Sequence, residues 1–315
     1  MRYSLVLPVP IIRPEQAIPF AGLVRWGRAE RLWQGQTEVI DNHQLVSWLA
    51  GIGLRVPSGF GVNLSPLRSP YHAAVEARST ALATGCSVIA AYGPGSVDFQ
   101  RGVMGNPYQS PLTATREYVT TVRALLNGEL VATEGECYST TGRLVPARSA
   151  EVRVGMGVLR TKMAALAGQI ADDAITWLCP PTYLSDVIVP QVWGASTQAG
   201  RDRVPVTAII PCAVAREGRR ARDIAFEAIG MHIQLPHYQD TLRDANIEVT
   251  GKTEDVDKLI DAGVFLYGTI SDIRDGLDRF SRAGVDEVVL NVAGVAKGFG
   301  LRAASRDLEE ILDAV

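Results

Sequence analysis

VRVGMGVLRTKMAALAGQIADDAITWLC, residues 152–179, reads as a strand, a helix and a second strand. The runs 152–158 and 174–179 are short and apolar with little polar alternation, the pattern of parallel strands covered on both faces. Between them Met163, Leu166, Ala167 and Ile170 fall at i, i+3, i+4 and i+7, which gives a helix over 161–172 one apolar face. A strand, a covering helix and a second strand of this length make a βα unit with its neighbour in a parallel sheet.

The same unit recurs in both directions along the chain. Strands are expected at 2–9, 29–35, 53–63 and 86–92 upstream and at 204–214 and 286–292 downstream, which makes eight. Asp41 with Gln44 three residues on forms a capping-box pattern for a helix over 41–50. Ser110-Pro111 opens another that runs to about 127. Ser271 starts a helix carrying Ile273, Leu277 and Phe280; Gly284 ends it, and Gly27 plays that part before the second strand. Eight strand–helix units predict an α/β fold, a closed (β/α)₈ TIM barrel spanning residues 1–315 as a single domain, with its site at the C-terminal ends of the strands. Two stretches are too long for ordinary connections, 93–110 after strand four and 230–270 after strand seven, and are expected as insertions. An open dinucleotide-binding sheet would need G-x-G-x-x-G after the first strand, where Pro8-Val9-Pro10 stands instead.

Composition narrows the function. Hydrophobic residues make up 47% of the 315 and charged residues 21%, as in a soluble protein with a large core. The net charge of −3 leaves no basic excess for a phosphate backbone, so nucleic acid is not an expected partner. Cys86, Cys137, Cys179 and Cys212 form no C-x-x-C and read as reduced thiols. The N-terminal apolar stretch is broken by Pro8 and Pro10, which favours a first strand over a secretion signal. No apolar run is long enough to span a bilayer, so a cytoplasmic protein without membrane contact is expected.

The expected rim is rich in glycine and small polar groups: Gln36, Gly61-Val62-Asn63 and Ser65, then Tyr92-Gly93-Pro94-Gly95. Gly155-Met156-Gly157 and Leu159 to Lys162 follow, then Trp177 with Cys179. It holds no paired carboxylates and no Ser-His-Asp set, and four histidines in the whole chain give no metal site. Such a rim suits an enzyme whose cofactor carries the chemistry. The helix that opens at Thr161 points its free N–H groups and positive dipole end at the mouth, with Arg160 and Lys162 adding charge; a plain turn with exposed basic residues is the competing reading. His43, at the start of the second helix, reads as solvated or as facing substrate. Trp177 reads as rim packing or as a ring stacker, and Asn63 as bonding a ring edge or holding the bulge. Tyr92 is the best candidate for a rim hydroxyl, and Glu117 reads as a surface or capping charge.

Seven stretches in order carry a resemblance across nearly the whole chain: LWQGQ at 32–36, GFGVNLSPLRSP at 59–70, AAYGPG at 90–95, REYVTTVRALLNGE at 116–129, ALAGQIADDAITWL at 165–178, LSDVIVP at 184–190 and QLPHYQDTL at 234–242. The chain resembles the luciferase-like monooxygenase superfamily, in particular its branch of oxidoreductases that use the deazaflavin coenzyme F420. The resemblance implies a coenzyme ring at the barrel mouth against a bulge after strand three, often with a non-prolyl cis peptide, which Gly61-Val62 matches. It implies coenzyme contacts from Gly61, Val62, Asn63, Gly93, Pro94, Gly95, Gly155 and Trp177. The phosphate is implied on the turn after strand five, at Gly157, Val158, Leu159, Arg160, Thr161 and Lys162. That turn departs from the family's frequent Ser-Gly-Pro, which leaves the phosphate donors open. Gln36 stands where several relatives carry a histidine, so Gln36, His43 and Tyr92 are the candidates near the reacting atoms. Arg68, Arg101 and Lys162 are candidates for the coenzyme's anionic tail.

The implied reaction is hydride transfer between F420 and a small organic substrate, reducing C=C, C=N or C=O or the reverse. An FMN-dependent monooxygenase on the same fold and a non-catalytic coenzyme-holding barrel are the alternatives. Pairing into a homodimer is implied by resemblance alone.

Overall fold

A computed structural model describes residues 1–315. Eight parallel strands close into a barrel: β1 (Arg2–Val6), β2 (Leu32–Gln34), β3 (Ser58–Leu64), β4 (Val88–Gly93), β5 (Val152–Gly157), β6 (Asp173–Trp177), β7 (Val206–Val214) and β8 (Glu287–Asn291). Each pairs with the next, and β8 returns to β1 with Glu287 opposite Arg2. The outer layer is α1 (Ile18–Arg25), α2 (Asn42–Gly51), α3 (Pro70–Thr84), α4 (Pro111–Leu126), α5 (Thr161–Ile170), α6 (Val189–Gln198), α7 (Ile270–Arg282) and α8 (Leu301–Leu312). The cap expected at Asp41 is present, its carboxylate accepting from the Gln44 N–H at 2.9 Å. No helix is long and apolar enough to cross a membrane.

Side chains alternate in and out along each strand. Inside the barrel Val6, Trp33, Ile89, Ala91, Ile175 and Val289 pack together, apart from the larger core between strands and helices. Trp33 stands opposite Gly59 on β3. A Cβ on Gly59 would lie 2.2 Å from the indole and one on Gly61 3.1 Å, so two inward positions of β3 are glycine because the ring occupies their space. Below the ring, Glu287 Oε1 accepts from Trp33 Nε1 at 2.8 Å and from Ser4 Oγ at 2.7 Å. Arg31 and Arg2 lie 3.7 and 3.6 Å from the same carboxylate, and Asp173 pairs with Arg153 at 3.0 Å. Burial pushes the Asp173 carboxyl up to about 7, against Arg153 and with the Glu287 charge adding to the rise. These residues sit at the N-terminal ends of the strands, where a barrel invests in stability.

The eight strands lie where the sequence places them, with shorter ends. The second covers three residues and not 29–35, and the third begins at Ser58 because Gly53, at φ +94°, and Pro57 hold a loop before it. A further short strand, Leu266–Gly268, pairs with Cys212–Val214, while β8 takes Thr207–Pro211, so long β7 serves two neighbours. The insertion after strand four includes the helix Val97–Met104. An unanticipated antiparallel hairpin, Val131–Glu134 with Ser139–Gly142, precedes β5. The insertion after strand seven starts directly after Val214, not at 230, and carries the helices Ala221–Ile233, Pro236–Asp244 and Asp255–Asp261.

Candidate functional site

At the C-terminal ends of four adjacent strands the inward positions are Gly35, Gly61, Gly93 and Gly157, as alternation from Trp33, Gly59, Ala91 and Gly155 requires. Half the mouth is therefore bare main chain. A Cβ on Gly35 would meet only the Gly61 carbonyl oxygen, at 3.8 Å. Val62 covers two of these positions, where Cβ atoms on Gly93 and Gly157 would come within 3.0 and 3.2 Å of its methyl groups, while Trp33 and Ile175 lie against Gly61. The Gly61–Val62 peptide is cis, and the β3–β4 register slips between Phe60 and Asn63, so the bulge lies at the implied position. Gly155 lies one layer lower, where a Cβ would strike that of Ala91 at 2.9 Å; it shapes the floor and not the mouth.

Beside the arc, on β6, the lining turns aromatic. Trp177 continues the inward series Asp173, Ile175 on β6, and its ring meets His232 edge to face with centroids 5.3 Å apart. His232, from the helix Ala221–Ile233, meets Tyr238 at 5.4 Å in the same manner, and Tyr238 lies 4.3 Å from His237. Trp177 Nε1 and His232 Nδ1 are buried and have no hydrogen-bond partner. Burial drives His232 down to about 4, with Lys297 and His237 contributing, so the imidazole is neutral near pH 7. Burial raises the Tyr238 hydroxyl and lifts the Cys179 thiol to about 12, so neither ionises.

Several sequence-predicted residues sit away from the mouth. Tyr92 has the outward parity of β4: its hydroxyl donates to the Ala73 carbonyl at 3.4 Å and its ring packs on Tyr118. It cannot serve as a rim hydroxyl from there. His43 is neither solvated nor at the mouth. Its ring packs on Phe60 beneath α2, Nδ1 lies 2.8 Å from Thr80 Oγ1, and Nε2 lies 3.3 Å from Asn63 Nδ2. Asn63 is wholly buried between His43 and Asn42, so it holds the bulge to α2. Gln36 is half-buried on the rim, bonding the Thr37 carbonyl and accepting from Arg68. Arg68 is itself committed to Glu76 at 3.3 Å with a 7% exposed side chain, and Arg101 pairs with Asp98 on the surface.

On the strand-five turn, Val158 is fully buried and its N–H bonds the Ile175 carbonyl, while Leu159 packs on the core. Arg160 pairs with Asp244 at 2.8 Å and Asp240 at 3.8 Å, tying this turn to the helix Pro236–Asp244. Thr161 and Lys162 are exposed, and the α5 N-terminus has no side-chain cap. Pro94 and Gly95 form the turn after β4, with Gly95 at φ +71°.

Three residues escaped the sequence reading. Gln100, buried in the insertion, bonds the Gly95 carbonyl and the Tyr108 N–H at 3.0 Å each and fixes the turn beside the mouth. Gly35 closes the arc. Trp33 sets the floor, and GFG beside LWQ carried that signal: two small residues at alternate positions of one strand make room for a large one on its neighbour.

Comparison with known proteins agrees with this geometry. The family model described as luciferase-like monooxygenase matches residues 26–287. A 5,10-methylenetetrahydromethanopterin reductase from Methanolobus tindarius is 27% identical over 194 residues, which is 60% of this chain and 59%, less than two thirds, of that relative's length. The coenzyme F420-dependent tetrahydromethanopterin reductase of Methanopyrus kandleri superposes with a TM-score of 0.75 over 97% of both chains at 18% identity. A monooxygenase from Streptomyces bottropensis superposes with 0.77 over 100% of this chain and 98% of that one at 15% identity. A match over 262 of 315 residues, a barrel of the same topology and the bulge at Gly61–Val62 lead to one assignment: the chain belongs to the luciferase-like monooxygenase family.

Proposed function

We propose that this chain is an oxidoreductase that holds coenzyme F420 at the barrel mouth and acts on a small organic substrate, at a C=C, C=N or C=O bond or in the reverse direction. The observation that carries the reading is the side-chain-free arc of Gly35, Gly61, Gly93 and Gly157 with Val62 above it. A flat ring system needs a flat seat, and main chain approached without Cβ atoms supplies one. The relatives described as reductases, one of them F420-dependent, support the deazaflavin over FMN. When bound, F420 supplies a ring carbon that gives or takes hydride.

The residues of this chain bind, orient and exclude water. Val62 and the arc support one face, and Trp177 with the helices after β7 closes the other side. The open N–H groups at the start of α5 and the Lys162 ammonium suit an anionic tail.

The test is titration of the purified protein with F420 and, separately, with FMN, followed by absorbance and fluorescence. Tight binding of F420 is expected. The variant Gly35→Val should weaken it by about tenfold or more, through side-chain volume on the seat, while the melting temperature holds because a Cβ there meets little. FMN binding without F420 binding, or a Gly35→Val variant that binds F420 as the parent does, overturns the proposal.

A further inference from the structure

We infer that His43 is a positioning residue for the coenzyme seat. As a neutral imidazole with its proton on Nδ1 it fixes the Asn63 amide, and Asn63 with Asn42 fixes Gly35 and the Gly61–Val62 bulge. The inference rests on the proposed seating of F420 on the glycine arc and names what holds that arc in shape.

Four buried side chains form one chain of hydrogen bonds behind the mouth. Asn42 Nδ2 donates to the Gly35 carbonyl at 2.8 Å and lies 3.4 Å from Asn63 Oδ1. Asn63 Nδ2 lies 3.3 Å from His43 Nε2, and His43 Nδ1 lies 2.8 Å from Thr80 Oγ1. The Thr80 hydroxyl reaches the Glu76 carbonyl at 3.1 Å.

Both ends of the chain are main-chain carbonyls, which only accept, and each end sets the same direction. From the Gly35 end, Asn42 must present its amide N–H group, so Asn63 turns its oxygen to Asn42 and its nitrogen to His43. His43 Nε2 then accepts and carries no proton. From the Glu76 end, the Thr80 hydroxyl gives its proton to the carbonyl, so its oxygen accepts from the His43 Nδ1–H. The two directions meet at the imidazole and agree on its tautomer. Asn42 Oδ1 is left without a partner, yet turning that amide over would set its oxygen against those of Gly35 and Asn63. A proton on Nε2 would face the Asn63 nitrogen, donor against donor. Burial holds His43 down at about 4, so the neutral form that the chain requires is the one present near pH 7.

What the chain holds is the seat. Asn63 follows Val62 directly, at the point where the β3–β4 register resumes. A Cβ on Gly35 would stand 3.8 Å from the Gly61 carbonyl oxygen, so the two tethered segments adjoin. Glycine main chain has no side chain to lock it in place, and a satisfied buried network behind it fixes one arrangement.

The tautomer is read in the parent protein at pH 7 by NMR of isotope-labelled histidine, the His43 signals being those absent from His43→Gln. Nδ1 should resonate as a protonated nitrogen and Nε2 as an unprotonated one. F420 affinity is then titrated in variants. His43→Phe keeps a ring on Phe60 and loses both bonds, His43→Asn reaches only toward Thr80, and His43→Gln places an amide oxygen near the position of Nε2. The Kd for F420 should rise about tenfold in His43→Phe and His43→Asn and stay within about twofold of the parent in His43→Gln. Leu277→Ala, a core truncation on α7, should lower the melting temperature and leave that Kd unchanged, which separates positioning from general loosening. A proton on Nε2, parent-like affinity in His43→Phe, equal weakening in His43→Asn and His43→Gln, or the same weakening in Leu277→Ala overturns the assignment. If F420 binds none of these proteins, the coenzyme reading falls, and the positioning role is judged by the Gly35 and Val62 amide resonances. Displaced in His43→Phe and parent-like in His43→Gln, they sustain it; parent-like in both, they overturn it.

Discussion

Under α2, the His43 imidazole is shut away from water between Phe60, Thr80 and Asn63, and burial holds its pKa down at about 4. Its unfolded value is 6.5, so its contribution to stability is complete above pH 6.5 and is lost as pH falls through 4. Asp173 works in the other direction. With a folded value near 7 against 3.8 unfolded, its contribution is complete below pH 3.8 and is lost as pH rises through 7. At full extent the swing is on the order of 3 kcal/mol for His43 and 4 kcal/mol for Asp173. Urea midpoints measured from pH 4 to 8 should therefore show a shallower acid limb in His43→Gln, not a flat one, because His232 titrates with the same sign. Asp173→Asn removes a contribution of opposite sign over the same range, so its acid limb should be steeper than the parent's. A parent-like slope in either variant would contradict the assignment. Neither environment was legible in the sequence. His43 looks solvated because its helix position is near a terminus, and Tyr92 looks like a rim group because it ends a strand. Their neighbours are set by strand parity and by the slip between Phe60 and Asn63, which only pairing reveals.

Among the elements, the hairpin 131–142 depends on a side chain from elsewhere. Glu117 on α4 accepts from the N–H groups of Glu136, Cys137 and Tyr138 at 2.8, 2.9 and 3.0 Å, and Gly135 is glycine because a Cβ there would lie 2.4 Å from that carboxylate. Burial works to raise the Glu117 carboxyl, but the three N–H groups outweigh it and hold it below its usual range. In Glu117→Gln the amides of residues 136–138 should exchange with deuterium at least tenfold faster at pH 7, while those of β5 stay protected. Unchanged protection would mean that the strand pairing alone holds the turn. The hairpin was invisible beforehand because VATE and STTG lack apolar alternation, and an anchor donated by a helix leaves no local trace. The barrel strands were legible for the opposite reason. Each is buried on both faces and writes its own apolar run, and α7 and α5 announce themselves by periodicity. Boundaries moved where one residue decides, as at Thr269, whose hydroxyl accepts from the Asp272 N–H and caps α7, so that the helix begins at Ile270 and not at Ser271.

The molecule as a whole is a ring closed through its interior. Glu287 on β8 accepts from both Ser4 on β1 and Trp33 on β2 across the strands that seal it, with the indole lying where β3 has no side chains. Gly59→Ala should therefore destabilise the entire barrel by about 3 kcal/mol or more, through overpacking against a fixed ring. The second substitution Trp33→Leu should recover part of that loss although it is destabilising alone. Urea unfolding of the two single variants and the double one measures this, and strict additivity would disprove the fit. The repeat of βα units made this closure predictable, whereas the extent of the segment after Val214 was not, since its helices are amphipathic like any other. The glycine arc bears on how such a protein can change through descent. A seat built from main chain offers mutation nothing to trim or swap; substitution can only obstruct it. On the proposed function, heritable variation in what is accepted is thereby channelled into Trp177 and the helices after β7. Lineages from this ancestor would diversify their substrates while keeping one carrier, as a socket outlasts the tools fitted to it.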